Sequence, residues 1–335
     1  MDRAGVACAD CIATQSFKEI VMSASRPWSI AALVLATTAW GSLFIVGKPT
    51  LAHLDPLWFT FVRYTLATLG FAVLLLARGA VAWRPLRQQG LQLAALGFVG
   101  YGVFGTLVLL GLAHSVPSHG AVVMATMPIT TQLMRWLLDG QRPHPGSVVG
   151  TALALAGVLI VSGVATGSAG HASTLPGDVT AWVGTLGWVT YTRYAGRMGP
   201  LDPLAYSALT AIASWPLLLG AVVVGAATGV SPVPSVEALQ LSAPAMLYIG
   251  LVPSIVAILA FNFGVRTLGV VAGTGFLNLV PLSAIAIGTA LGHVPQAHEL
   301  VGAALVITAL MVHLRGQGAQ PASLQLRHEE PASVA

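Results

Sequence analysis

Ten apolar stretches follow one another along the chain, each close to the roughly 20 residues that an α-helix needs to cross a hydrocarbon core of about 30 Å. They cover approximately 30–47, 57–77, 91–113, 120–138, 147–166, 178–195, 204–226, 244–265, 271–292 and 300–314. Such a chain needs lipid as its solvent. Of its 335 residues 56% are hydrophobic and 8% charged, against about 25% charged in a soluble domain, so a water-soluble fold is excluded. A membrane β-barrel would show alternating segments of about ten residues, whereas the runs here are continuous. The fold class is therefore an all-α polytopic membrane protein with ten transmembrane helices. The net charge of +4 is carried by basic residues scattered singly between apolar runs, with no stripe to suit a nucleic acid. The expected partners are the lipid bilayer and a small-molecule solute.

Lys and Arg in short connections are retained on the cytoplasmic side. An N-in, C-in orientation places Arg26, Arg78, Arg84, Arg87, Arg135, Arg142, Arg193, Arg197, Arg266 and Arg315 inside and leaves Lys48 and Arg63 toward the outside. Residues 1–28 then form a cytoplasmic N-terminal segment. Its apolar stretch is interrupted by Asp10, Lys18 and Glu19, so it reads neither as a signal peptide nor as a span, and Met22 is an alternative start. The only cysteines, Cys8 and Cys11, lie in this segment; with no second pair they define no metal site, and neither a metal nor a cofactor is expected.

The chain also repeats itself. Trp40 with Asp55-Pro56-Leu57 recurs as Trp188 with Asp202-Pro203-Leu204, and Pro128 with Val149-Gly150 recurs as Pro281 with Val301-Gly302. Five helices per copy force the two copies into the membrane with opposite orientation. The basic residues agree: the loop after the second span holds Arg78, Arg84 and Arg87, while its counterpart after the seventh holds only Glu237. The expected organisation is a first repeat over 29–167, an external linker over 168–175, a second repeat over 176–315 and a disordered cytoplasmic tail over 316–335. Inverted repeats are the architecture of alternating-access carriers, although duplication has also built channels and scaffolds.

The run Trp40-Gly41-Ser42-Leu43-Phe44-Ile45-Val46-Gly47-Lys48, followed by Pro56-Leu57 and Arg63, resembles the EamA type of the drug/metabolite transporter superfamily. The stretch with Gly120-Ala121, Pro128 and Gly150 resembles the later part of the same domain, and the resemblance covers about 29–164 and 176–315. It implies two inverted five-helix EamA repeats, N-in and C-in, with a central cavity lined mainly by helices one, three, four, six, eight and nine. It also implies transport of small organic solutes, commonly export of amino acids or other metabolites across a bacterial inner membrane. Where this family often carries Leu-Gly-Glu after helix four, this chain has Asp139-Gly140-Gln141, and the equivalent acidic position after helix nine is His293. An interfacial role for those carboxylates is therefore not carried over.

Ionisable groups at depth usually face a cavity or an internal partner. Lys48 matches the family's first-helix lysine and is a candidate for a substrate carboxylate, or else snorkels to the outer headgroups. Arg63 lies about 10 Å into the second helix and reads as a structural charge paired with Asp55 or helix-end carbonyls. His119, at the start of helix four, is either a proton-coupling group or a histidine in a wet vestibule, and a proton is the coupling ion considered. Family analogy puts Trp40, Tyr101, Trp188, Tyr191, Asn262 and Asn278 on cavity-lining helices, with helix bridging as the alternative for both asparagines. Pro128 and Pro281 are equivalent hinge candidates, or static packing kinks.

The sequence thus predicts a secondary transporter moving a small metabolite, an amino acid or related zwitterion or anion, outward across the cytoplasmic (inner) membrane, as monomer or homodimer. A carrier of cationic drugs or nucleosides is the alternative. An intramembrane enzyme is disfavoured, because His298-Glu299 lacks the second histidine of a zinc helix and no GxSxG elbow is present, so no catalytic residue is assigned.

Overall fold

The computed structural model describes residues 3–114, 123–124, 127–143, 145–161, 175–199, 201–292, 294 and 296–318. His119, His293, most of the 168–175 linker and tail residues 319–335 lie outside them. Among the described residues every regular element is helical. Helix α1 (Arg3–Thr50) is continuous from the N-terminal segment into the first span, and α2 (Pro56–Leu76) follows. The third span is made of α3 (Arg84–Gly97) and α4 (Phe104–Ala113), joined by a π-helical turn, Phe98–Val103. Then come α5 (Met127–Asp139), α6 (Pro145–Val161), α7 (Leu175–Tyr194) and α8 (Pro203–Ala227). Helices α9 (Val236–Leu251) and α10 (Ala257–Leu268) are joined by a second π-helical turn, Val252–Val256. Short α11 (Val270–Gly275) leads through a 3-10 turn, Phe276–Asn278, into α12 (Leu279–Ala290), and α13 (Ala297–Gly318) is last. Among the described residues six helical segments are long and apolar enough to cross a membrane: Arg26–Thr50, Pro56–Leu76, Ala80–Ala113, Pro203–Ala227, Val236–Leu268 and Ala272–Ala290. The molecule is a polytopic membrane protein.

The repeated Asp-Pro-Leu tripeptide is a helix start in both places. Asp55 caps α2 by accepting from the Leu57 amide at 2.9 Å, and Asp202 caps α8 by accepting from the Leu204 and Ala205 amides at 2.9 and 3.1 Å. Proline at the first helical position removes an amide that would have no partner there. Each cap also reaches the far end of the other helix. Asp55 accepts from the Ser231 hydroxyl just beyond α8, and Asp202 accepts from Arg78 just beyond α2. The two helices therefore run antiparallel, packed side by side and tied at both ends.

Packing elsewhere comes in matched sets. α1 packs on α10 as α4 packs on α7; α1 packs on α12 as α5 packs on α7; α6 packs on α13. Small residues permit the closest of these approaches. A Cβ on Gly111 would stand 2.5 Å from the Gly177 carbonyl oxygen, at the α4–α7 contact. Pro281, the third residue of α12, follows the 3-10 turn directly; lacking an amide hydrogen, it cannot close the α-helical bond back to Leu277, and the span tightens there instead. Pro128 is the second residue of α5.

Candidate functional site

The two repeat-related tryptophans meet at the centre of the molecule. Trp40 from α1 and Trp188 from α7 stand edge to face with ring centroids 5.4 Å apart, and Phe261 of α10 contacts both, at 5.1 and 5.7 Å. Phe104 of α4 lies 5.4 Å from Trp188. Beside this cluster is a narrow cavity. Its walls come from α1 (Trp40, Leu43, Phe44), α2 (Arg63, Tyr64), α4 (Phe104, Val108, Leu109), α7 (Trp188) and α10 (Ile258), with Met124 and Leu277 completing them.

The π-helical turn Val252–Val256 holds two of the wall residues, Trp40 and Arg63. Pro253 has no amide hydrogen, so the Ile249 carbonyl loses its normal helical donor, and the Ser254 hydroxyl takes that place at 2.8 Å. The Pro253 carbonyl accepts from the Trp40 indole at 2.9 Å. Arg63 Nε donates to Ser254 Oγ at 2.6 Å, and its guanidinium lies 4.8 Å from the Tyr64 ring centroid. Arg63 is 4% exposed, and among the described residues it forms no ion pair with a carboxylate. The sequence-based pairing with Asp55 is corrected here, since that carboxylate serves as a cap and bonds Ser231 instead.

A layer of hydroxyls and one amide lies under the aromatic cluster. Tyr101, from the first π-helical turn, shares a 2.6 Å hydrogen bond with Tyr191 and a 3.3 Å one with Thr210. Asn262 donates to Ser207 Oγ at 2.7 Å and to the Tyr191 hydroxyl at 3.4 Å, and the Tyr206 hydroxyl donates to the Tyr191 carbonyl at 2.7 Å. Tyr64 stacks on Tyr101 at 4.9 Å, and Trp188 lies 5.3 Å from Tyr191, so the cavity wall rests directly on this layer. Two buried polar atoms of that wall, the Tyr64 hydroxyl and the Trp188 indole nitrogen, have no hydrogen-bond partner in the described structure.

Further along α7, past Tyr191, the helix ends in an ion-pair cluster. Asp139, the last residue of α5, accepts from Arg193 at 2.5 and 3.2 Å and from Arg197 at 2.7 Å. An interfacial carboxylate is thus present after α5, two positions before the family's glutamate; Gly140, at a φ of +67°, turns the chain immediately afterwards. The Arg193 hydrogen bond, ahead of the attraction of both guanidiniums, holds the Asp139 carboxyl below its usual range against the opposing effect of burial. Because the folded pKa is the lower one, the resulting stabilisation is present above the ordinary aspartate value of about 4 and disappears as pH falls through the depressed value. The thermal midpoint of detergent-solubilised protein should therefore fall on acidification below about pH 4. Asp139→Asn should lower the midpoint at pH 7 and lessen that acid dependence; an unchanged midpoint at pH 7 would show the cluster to be energetically idle.

The sequence candidates are thus distributed unevenly. Trp40 and Trp188 line the cavity, whereas Tyr101, Tyr191 and Asn262 lie in the layer beneath it. Asn278 is 4% exposed in the 3-10 turn and donates to the Gly275 carbonyl at 2.9 Å, while its own side-chain oxygen is buried without a donor. Lys48 is exposed, with only a 3.5 Å contact to the Leu112 carbonyl, so Arg63 and not Lys48 is the cation at the cavity. Tyr64, Phe104, Ser254 and Phe261 were not singled out by sequence. A Pro-Ser pair inside an apolar span was the signal for Ser254, since such a proline frees a carbonyl that a neighbouring hydroxyl can satisfy.

Comparison with known proteins agrees with this architecture. Residues 27–163 match the EamA-like transporter family. The chain is 25% identical to the uncharacterized transporter YrdR of Bacillus subtilis (strain 168), over 84% of this chain and 89% of that protein. It is 27% identical to a probable terminal-alkyne amino-acid exporter of Streptantibioticus cattleyicolor, over 85% and 92% of the two chains. It is 28% identical to the uncharacterized inner membrane transporter YedA of Escherichia coli (strain K12), over 76% and 79%. A solved crystal structure superimposes with a TM-score of 0.68 at 21% identity, covering 92% of this chain and 99% of the other, and so shares the fold. The chain is thus a multi-pass membrane protein that over residues 27–163 is similar to the EamA-like transporter family.

Proposed function

We propose that the protein is a secondary carrier that exports a small organic metabolite, an amino acid or a related zwitterion or anion, by alternating access between two inverted five-helix repeats. The single observation that carries this reading is the central cavity walled by both halves, with the repeat-related Trp40 and Trp188 in contact in its wall. Three further features support the repeats: the reciprocal Asp55 and Asp202 caps, the π-helical turns in the third and eighth spans, and the matched helix pairs. In this reading the repeats span 29–167 and 176–315, ten helices cross the bilayer, and both termini are cytoplasmic. Arg78, Arg193 and Arg197 then lie at the cytoplasmic end, as basic residues should. The tyrosine layer and the ion pairs close that end, while on α1 and α4 the cavity wall continues toward the other end in aliphatic and aromatic side chains such as Leu43, Phe44 and Leu109. Rocking of one repeat on the other would exchange which end is closed. A relative described as a probable amino-acid exporter supports the solute class, and a cavity whose charged wall residue is Arg63 favours an anionic or zwitterionic solute over a cationic drug.

Counterflow in proteoliposomes tests this reading. Proteoliposomes of the purified protein, preloaded with an unlabelled amino acid, should show saturable uptake of the same labelled amino acid. Failure with every member of an amino-acid panel, alongside exchange of a nucleoside or a cationic drug, would transfer the assignment to the alternative solute class.

A further inference from the structure

We infer that Arg63, Tyr64 and Trp188 form the carboxylate subsite of the transported solute, a site that deepens the carrier reading and rests on it. All three line the same cavity, and each brings hydrogen-bonding capacity that the described protein leaves unused. Arg63 engages one guanidinium nitrogen with Ser254 and has no acidic partner. The Tyr64 hydroxyl and the Trp188 indole N–H are buried with no partner among the described residues. A guanidinium, an indole N–H and a phenol together supply many donors and, apart from the phenol oxygen, no acceptor.

Leaving such groups unsatisfied is unfavourable, and a carboxylate is the group that removes the penalty, since its oxygens accept several hydrogen bonds and its charge balances the arginine. The repeat-equivalent positions of Trp188 and Arg63 carry polar groups that are already bonded. Trp40, the repeat mate of Trp188, spends its N–H on the Pro253 carbonyl. Thr210 stands eight residues after Asp202 as Arg63 stands eight after Asp55, and it is already bonded to Tyr101 and to helix carbonyls. The open donors therefore come from both halves of the chain and meet at one cavity. The remaining wall, with Phe104, Leu109 and Ile258, is apolar, so the anion should carry an organic flank and not a full hydration shell.

Thermal stabilisation of the purified full-length protein separates this subsite from the carrier reading, with L-phenylalanine, phenylacetate, phenylalaninamide and inorganic phosphate as the probes. Phenylalanine and phenylacetate are expected to raise the midpoint, with the amide and phosphate at least about tenfold weaker, the size of one hydrogen bond to a charged group. Trp188→Phe, which keeps an aromatic ring and removes only the donor, should raise the half-saturating concentration of both carboxylates about tenfold, and Arg63→Gln should raise it further. Trp58→Phe, which removes an indole donor bonded to the Ser231 carbonyl away from the cavity, should leave it unchanged. Equal stabilisation by amide and carboxylate, stabilisation by phosphate to the same extent, no stabilisation by either carboxylate, or an unaltered response in Trp188→Phe would each overturn the subsite. Selective binding of carboxylates without counterflow of labelled phenylalanine would retain the subsite and remove the carrier reading; counterflow competed equally by the amide would do the reverse.

Discussion

Trp188→Ala is expected to abolish counterflow and to destabilise the protein by about 3–5 kcal/mol, the range for removing a large aromatic from a packed interior. Trp188 contacts Trp40, Phe104, Tyr191 and Phe261, all with ring centroids within 5.7 Å, so its loss opens a void at the one point where α1, α4, α7 and α10 converge. Each of those ring pairs is worth about 0.5–1.5 kcal/mol beyond its buried area. Trp40→Ala should do comparable damage by a different route, because it also strands the Pro253 carbonyl at the π-helical turn and so releases the segment that holds Ser254 against Arg63. Replacement of Trp188 by phenylalanine is the informative contrast: a smaller change in packing, a fold that persists, and a defect confined to solute affinity. Unfolding midpoints in detergent and counterflow at saturating solute should resolve the three variants. Full transport by Trp188→Ala in normally stable protein would remove the tryptophan pair from the mechanism.

Much of this arrangement was legible in the sequence because it is written in local signals. Apolar run length marked the six segments that are long and apolar enough to cross a membrane, the Asp-Pro-Leu tripeptides marked helix starts, and the recurrence of Trp40 as Trp188 picked out a pair that the fold brings into contact. The site's charge was not legible in the same way. Lys48 and Arg63 both sit within a few turns of a helix end, and sequence distance from a loop does not tell which cation is turned inward. What turns Arg63 inward is Ser254, which is 191 positions away in sequence and is presented by a π-helical turn. Periodicity gives no warning of such turns, since a single extra residue in a uniformly apolar span leaves its composition unchanged. Tyr64 is illegible for a related reason: an aromatic residue next to a charge in an apolar helix reads equally well as packing or as site.

Gly97→Ala should prevent accumulation of folded protein altogether, although it adds one methyl group. A Cβ at Gly97 would lie 2.1 Å from the Thr210 carbonyl oxygen and 2.8 Å from Ser214 Oγ, at the crossing of α3 and α8. Backbone cannot yield there as a side chain would, so the helices must separate, and interiors packed to crystal density transmit that shift. The displaced residue matters for function as well, because Thr210 anchors Tyr101, which stacks on Tyr64 at the cavity wall. Even protein rescued at low temperature should therefore bind solute weakly. Gly220→Ala provides the control on α8 itself. Nothing stands within 4 Å of a Cβ at Gly220, so the substitution should be neutral or stabilising by about 0.5–1 kcal/mol through the lower entropy of the unfolded chain. Fluorescence-detected size exclusion of both variants, expressed side by side, measures the outcome. A monodisperse Gly97→Ala peak at the Gly220→Ala level would mean that α3 and α8 tolerate separation, and the tyrosine layer between the cavity and the ion pairs would then not depend on their close crossing.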